Sequence, residues 1–405
     1  MLSTQSLQAI KFISIGDRKR TCGLPFTMTR MGISPDICIR GAGIVGRTLA
    51  LLLARERLRV ALVATPAPAA APDVRAYALG PAARQLLEGV RCWPGERAAT
   101  PVLSIQVHGD RNGVVRFDAV AQGVPALNWI VDAPALERQL ADAIGFQGGI
   151  ETAREPVPAP LTVVCEGRAS ATRAELGVAF DVTDYPQQAI ATRLDCEQPH
   201  EQAARQWFTP EGDVLAFLPL DGPLGRQVAV VWSASSPRAP ELMALDDDAF
   251  AACLMELSGG ALGALRLCAP RACWPLMRAS ARRWVGPMPG AQASGSFALA
   301  GDAAHAMHPL AGQGLNVGLG DAAELARVLA ARENWRSPSD LKLLRRYERA
   351  RQADWLRTSL AADGLQQLFG RPEPFAAALR NWGMAAFDAC GPLKARIARL
   401  AMGTK

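Results

Sequence analysis

Three glycines, Gly41, Gly43 and Gly46, stand between a short apolar run, Ile37-Cys38-Ile39, and a segment of helical composition from Thr48 to Ala54. The order predicts strand, turn and helix. Gly41 suits a tight turn, Gly43 lets a phosphate reach the backbone, and Gly46 allows the helix to pack closely on the strand. Free amides and the dipole at the start of that helix favour an anion. The chain is therefore expected to open an α/β sheet that holds a dinucleotide at its first turn. The second strand, Leu58 to Val63, would ordinarily end in an acid that holds ribose hydroxyls, but it runs into Ala64-Thr65-Pro66. After an Ala- and Pro-rich stretch, Asp73 to Leu79 offers Arg75, which suits a phosphate or a ring face, or an ordinary surface position.

A second constellation lies about 260 residues downstream. Phe297-Ala298-Leu299-Ala300 has the pattern of a buried strand and leads into Gly301-Asp302-Ala303-Ala304-His305. Then come His308-Pro309 and Gly312-Gln313-Gly314-Leu315-Asn316, followed by a long helical segment. Asp302 can accept hydrogen bonds from sugar or ribityl hydroxyls, Pro309 presents a flat apolar surface, and the amides from Gly312 to Asn316 can meet carbonyl oxygens. His305 and His308 have the spacing of two metal ligands. No nearby Cys, Glu or third His completes a set, so no metal is expected and both are taken as loop histidines. A serine-hydrolase elbow is absent from the sequence.

With 405 residues the chain has room for two or three domains. Its net charge of +6 invites a polyanionic partner, yet Lys11, Arg18, Lys19, Arg20 and Arg30 against Asp17 place four of those charges in residues 1–35. The remainder is nearly neutral, and no nucleic-acid partner is expected. In the leader the charges follow the apolar patch Leu7 to Ile15, the wrong order for export. Met28 and Met31 precede the first strand, so a tail outside the fold, or a start assigned too early, is expected. Apolar stretches such as Thr48 to Ala54 are too short to span a bilayer. Nine cysteines without a C-x-x-C pair argue against a disulfide framework and for a reducing cytoplasm.

Taken together, the two motifs resemble those of the FAD-dependent aromatic hydroxylases (class A flavoprotein monooxygenases), in particular the ubiquinone-biosynthesis hydroxylases. The likeness extends to Asn128-Trp129-Ile130-Val131-Asp132, Pro199-His200 with Gln206-Trp207-Phe208-Thr209, Leu218-Pro219-Leu220, Val230-Val231-Trp232-Ser233, and Gly364-Leu365 with Leu368-Phe369. The resemblance implies an α/β fold with a Rossmann-like, glutathione-reductase-type FAD-binding domain in three pieces, 36–100, 155–180 and 290–340. It implies an inserted β-rich substrate domain, 101–154 and 181–289, and a helical C-terminal region, 341–405. Within these, Val102 to Phe117 is expected as a hairpin and Leu343, Leu344, Tyr347, Trp355 and Leu356 as one buried helix face.

By the same resemblance Gly41, Gly43 and Gly46 would take the FAD pyrophosphate, Arg75 would lie near the cofactor and Asp302 would take the ribityl chain. Pro309, Gly312, Gly314, Leu315 and Asn316 would lie against the isoalloxazine. The implied chemistry is hydroxylation of an aromatic ring, prenylated in the nearest relatives, with NAD(P)H as co-substrate and O2 through a flavin C4a-hydroperoxide. No side chain is singled out as catalytic. A quinone-biosynthesis complex and peripheral contact with the inner membrane from the cytoplasmic side are further implications. The family's Ala-Asp-Gly strand end is here Cys165-Glu166-Gly167, and residues 143–160 look short. With Ala64, three departures fall beside the adenosine half of FAD. Two other readings stay open: a hydroxylase of a soluble aromatic compound, and a non-catalytic scaffold in a quinone-biosynthesis complex.

Overall fold

The computed structural model describes residues 34–64, 72–109, 113–290, 295–307 and 313–369, with side chains to 359. The basic leader, His308, Pro309 and Gly312 lie outside the described residues, as does the chain beyond 369.

Near-continuous apolar runs fit strands that are buried on both faces of a parallel sheet. Ile37–Arg40, Val60–Val63, Leu161–Val164 and Ser296–Leu299 are such runs, and they pair in parallel. The sheet has six strands, with Val285–Pro287 antiparallel on one edge and Ile150–Ala153 on the other. One face packs on helices Ile44–Arg55, Ala133–Gly145 and Gly314–Ala330 through Leu49, Leu53, Leu136, Leu140, Leu325 and Leu329. The other face buries Val164, Leu299 and Phe297 against Leu176 and Trp284.

The domain division differs from expectation at residues 133–153. Placed with the substrate domain from sequence, they form the helix Ala133–Gly145 and the strand Ile150–Ala153, which extends the cofactor sheet beside Val60–Val63. Parallel neighbours need a crossover, and this helix is one. The segment that looked short thus contains a sheet strand.

Between the two bodies sits a three-stranded sheet, Ala76–Leu79, Asn128–Asp132 and Ala99–Val102, with Asn128–Asp132 in the centre. Strand alternation gives it two buried faces. Leu79, Trp129, Val131 and Ala99 join the cofactor core, while Ile130, Val102, Ala76 and Ala78 meet Ala204, Leu220 and Ala229 of the large sheet. That nine-stranded sheet is built on Phe180–Cys196, paired with Gln227–Ser235 and Ala272–Ala281. Helix Asp247–Ser258 covers it through Phe250 and Leu254 against Trp232. The expected hairpin appears as Ser104–His108 with Val114–Asp118.

Helix Leu341–Phe369 buries Leu343, Leu344 and Tyr347. Trp355 is half-buried. Leu356, expected on the same face, is exposed, because one residue beyond Trp355 turns the side chain about 100° around the helix. The buried face continues instead through Arg351.

Candidate functional site

The carboxyl ends of adjacent strands carry the site. Arg40 is level with Val164, and Val164 with Leu299. Gly41, Cys165-Glu166 and Gly301-Asp302 therefore leave the sheet side by side, where parallel sheets bind ligands.

Gly41 lies at φ 111°, and a Cβ there would stand 2.5 Å from the Cys165 carbonyl. A Cβ at Gly46 would stand 1.9 Å from the Gly41 carbonyl oxygen. The protein's own backbone demands both glycines. Gly43 is different: its φ of −77° suits any residue, and a Cβ would meet nothing within 4 Å. At Gly314, which opens helix Gly314–Ala330, a Cβ would likewise meet nothing within 4 Å among the described residues. Val45, in the first turn of helix Ile44–Arg55, packs against both Gly318 of helix Gly314–Ala330, where a Cβ would approach it to 3.0 Å, and Gly301, where a Cβ would approach it to 3.2 Å. Neither helix has an acid in its first turn, so an anion or carbonyl meets the amides unopposed.

Asp302 faces solvent on one side and is otherwise walled by protein. Loss of hydration raises its carboxyl above the usual aspartate value, against the pull of His305, Arg168 and Arg75. An exposed carboxylate is a ready acceptor for hydroxyl groups. Arg75 stands at the rim. Asp73 holds its guanidinium at 2.8 and 2.7 Å, and it donates to Tyr77 Oη at 3.0 Å. From the large sheet Arg193 donates to the carbonyls of Val74 and Arg75, both at 3.3 Å, and pairs with Asp132 at 2.6 Å. The rim segment is thereby fixed to both neighbouring sheets.

Asn316 serves the fold as a clamp. Its amide donates to Ala78 O at 2.8 Å and its Oδ1 accepts from Gly80 N at 2.9 Å, tying the helix start to the three-stranded sheet. Leu315 packs against the main core. His305, expected in a loop, is buried in the short strand His305–Ala306, 2.6 Å from Asp321 and against Trp284. No group of three metal-ligating side chains occurs among the described residues.

Residues 146–357 match the protein-family model described as "FAD binding domain". The chain is 32% identical to ubiquinone hydroxylase UbiL of Rhodospirillum rubrum over 398 residues, covering 91% of this chain and 90% of that protein. To 3-demethoxyubiquinol 3-hydroxylase of Escherichia coli it is 30% identical, covering 91% and 98%. The chain belongs to the FAD-dependent ubiquinone-biosynthesis hydroxylase family. Two solved structures show the same fold: PqsL of Pseudomonas aeruginosa, at TM-score 0.71 and 21% identity over 86% of this chain and all of that one, and p-nitrophenol 4-monooxygenase PnpA of Pseudomonas putida, at TM-score 0.71 and 19% identity over 91% and 96%.

Family membership gives the open glycines a meaning. Gly43 and Gly314 are places a Cβ could fill and does not, and Asp302 is an exposed acceptor directly after the Gly301 turn that packs on Val45. The residues present fit FAD.

Glu166, the departure from the family's aspartate, is well used. It accepts from Ser170 Oγ at 2.8 Å, from Thr172 N at 3.1 Å and from Thr172 Oγ1, and lies 3.4 Å from Arg40. Burial would raise its carboxyl, but those hydrogen bonds outweigh it and the net shift is downward. Arg173 continues the network, donating to Ala303 O at 3.0 Å with its guanidinium 3.6 Å above the Phe180 ring. The extra methylene thus reaches three donors. Glu166→Ala is expected to cost about 1–3 kcal/mol in urea unfolding of the FAD-free protein, with Glu166→Asp between it and the wild type. An unchanged midpoint for Glu166→Ala would mean that the loop holds without the carboxylate.

Proposed function

We propose that this protein hydroxylates the aromatic ring of a prenylated quinone precursor, taking electrons from NAD(P)H and one oxygen atom from O2, the other leaving as water. The observation that carries the reading is the meeting at Val45 of helix Ile44–Arg55, which follows the open Gly43, with helix Gly314–Ala330 and with the Gly301 turn that precedes Asp302. The relatives named as ubiquinone and 3-demethoxyubiquinol hydroxylases, aligned over nine-tenths of the chain, support the substrate class. Bound FAD supplies the two-electron transfer and the activation of dioxygen. The chain's own part is binding and orientation. Gly43 gives room for the pyrophosphate against the amides of helix Ile44–Arg55, and Asp302 accepts from ribityl hydroxyls. The Gly314 turn, held to Ala78 and Gly80 by Asn316, faces the ring system, and Arg75 lines the rim.

The scaffold reading draws on Ala64, Glu166 and the segment after 143. Two of these give it little support, because Glu166 is satisfied by the 170–172 turn and Ile150–Ala153 is a formed strand. Among the described residues no helix is long and apolar enough to cross a membrane. A prenylated substrate would be met at a lipid surface, alone or within a quinone-biosynthesis complex, by peripheral contact.

The deciding experiment is spectroscopic. Purified protein given FAD is expected to show a bound-flavin absorption spectrum and to oxidise NAD(P)H faster when a prenylated phenol is added. A colourless protein that fails to stimulate NAD(P)H oxidation overturns the proposal. Stimulation by soluble phenols alone would favour the soluble-aromatic reading.

A further inference from the structure

The buried stripe of helix Leu341–Phe369 carries an arginine where its spacing asks for an apolar side chain. Arg351 Nε donates to Asp321 Oδ1 at 2.8 Å, a second nitrogen donates to Val317 O at 3.1 Å, and a third pairs with Asp354 at 2.7 Å. Helix Gly314–Ala330 makes space for it at Gly320, where a Cβ would lie 2.9 Å from the guanidinium. Asp321 is fully buried. Its Oδ2 accepts from the backbone amide of Gly301 at 2.8 Å and meets His305 Nε2 at 2.6 Å. Burial raises this carboxyl, but His305 and Arg351 prevail and hold it below the ordinary aspartate value.

Buried ion pairs are poor stabilisers, because desolvation offsets most of the attraction and apolar replacements often hold a fold as well. Here the partners have a directional use. Gly301 adopts φ 62° and immediately precedes Asp302, and His305 closes the same turn from the other side. One carboxylate therefore fixes both ends of the turn that presents Asp302, and is itself fixed from the C-terminal helix.

We propose that Asp321 and Arg351 are positioning residues for FAD, setting Asp302 through the Gly301 amide and His305 and so linking the cofactor turn to helix Leu341–Phe369. The proposal rests on the reading that FAD lies against Asp302.

A double-mutant cycle in FAD affinity tests it. Kd for FAD would be measured by flavin fluorescence for the wild type, Arg351→Met, Asp302→Asn and the double variant, with melting of each FAD-free protein. Arg351→Met is expected to weaken FAD binding about ten-fold or more, yet by less than about two-fold when Asp302 is already Asn, because groups acting through one contact are not additive. A structural role alone would give equal losses in both backgrounds, and that result overturns the proposal. If Arg351→Met does not fold, Asp321→Asn takes its place: the amide oxygen still accepts from Gly301 N while the ionic partners are lost. Its cycle with Asp302→Asn is read the same way. A wild type that binds no FAD overturns both this proposal and the functional reading, whereas additive losses in a FAD-binding wild type overturn this one alone.

Discussion

Gly46→Ala is expected to destabilise the FAD-free protein by about 3 kcal/mol or more, whereas Gly43→Ala is expected to leave it within about 1 kcal/mol of the wild type. The two positions share one motif, but their surroundings differ. A methyl at Gly46 would lie 1.9 Å from the Gly41 carbonyl oxygen, with the carbonyl carbon at 3.1 Å and Cys165 Cβ at 3.3 Å. No rotamer relieves that overlap, so the helix must move off the strand, and Leu49 and Leu53 would move with it. A methyl at Gly43 enters open space and asks nothing of the backbone. Its cost falls on whatever comes to that space. If the pyrophosphate of FAD lies there, Gly43→Ala weakens FAD binding by about 10- to 100-fold, or roughly 1.4–2.7 kcal/mol. Thermal melts with and without FAD, together with a flavin titration, separate the two. Wild-type affinity in Gly43→Ala would show that the phosphates do not approach this turn.

The same contrast explains how much of the fold and site is legible in the sequence. Gly41, Gly46 and the Gly301 turn were visible because close backbone approach and positive φ leave a direct mark on residue type. The apolar strands Ile37–Arg40 and Ser296–Leu299 were visible because burial on both faces writes a continuous run. Ile150–Ala153 was not, since an edge strand reading Ile-Glu-Thr-Ala carries neither a run nor a clean alternation, and only its pairing with Val60–Val63 identifies it. Asn316 carries a second task that its sequence position does not announce: its side chain turns back to Ala78 and Gly80, which are more than 200 residues away in sequence. His305, Asp321 and Arg351 belong to three separate elements, and no spacing rule joins them. Buried charges of this kind become visible only when the chain is folded, although an arginine in the apolar stripe after Tyr347 was a signal that a buried acid was needed.

Asp302 offers a prediction in which binding and stability move in opposite directions. Its carboxyl is raised by loss of hydration, more than the charges of His305, Arg168 and Arg75 bring it down. A group with a raised folded-state pKa binds more protons in the folded chain than in the unfolded one. For a carboxylate, stability then falls as pH rises from the unfolded value toward the folded one, and the loss persists above it. At pH 7 the ionised Asp302 therefore works against the FAD-free fold. Asp302→Asn removes that charge while keeping shape, and should raise the FAD-free melting temperature at pH 7 by roughly 1–2 °C, since the open side of the acid lets water screen it. The gain should vanish near pH 3, where both proteins are neutral at this position. FAD affinity should move the other way, by about ten-fold, because an amide is a weaker acceptor than a carboxylate for ribityl hydroxyls. Melting curves at pH 3 and pH 7, with and without FAD, read both effects. A variant that melts lower than the wild type without FAD at pH 7 would show that Asp302 is held by a favourable contact within the protein, and a variant with unchanged FAD affinity would remove it from the cofactor site.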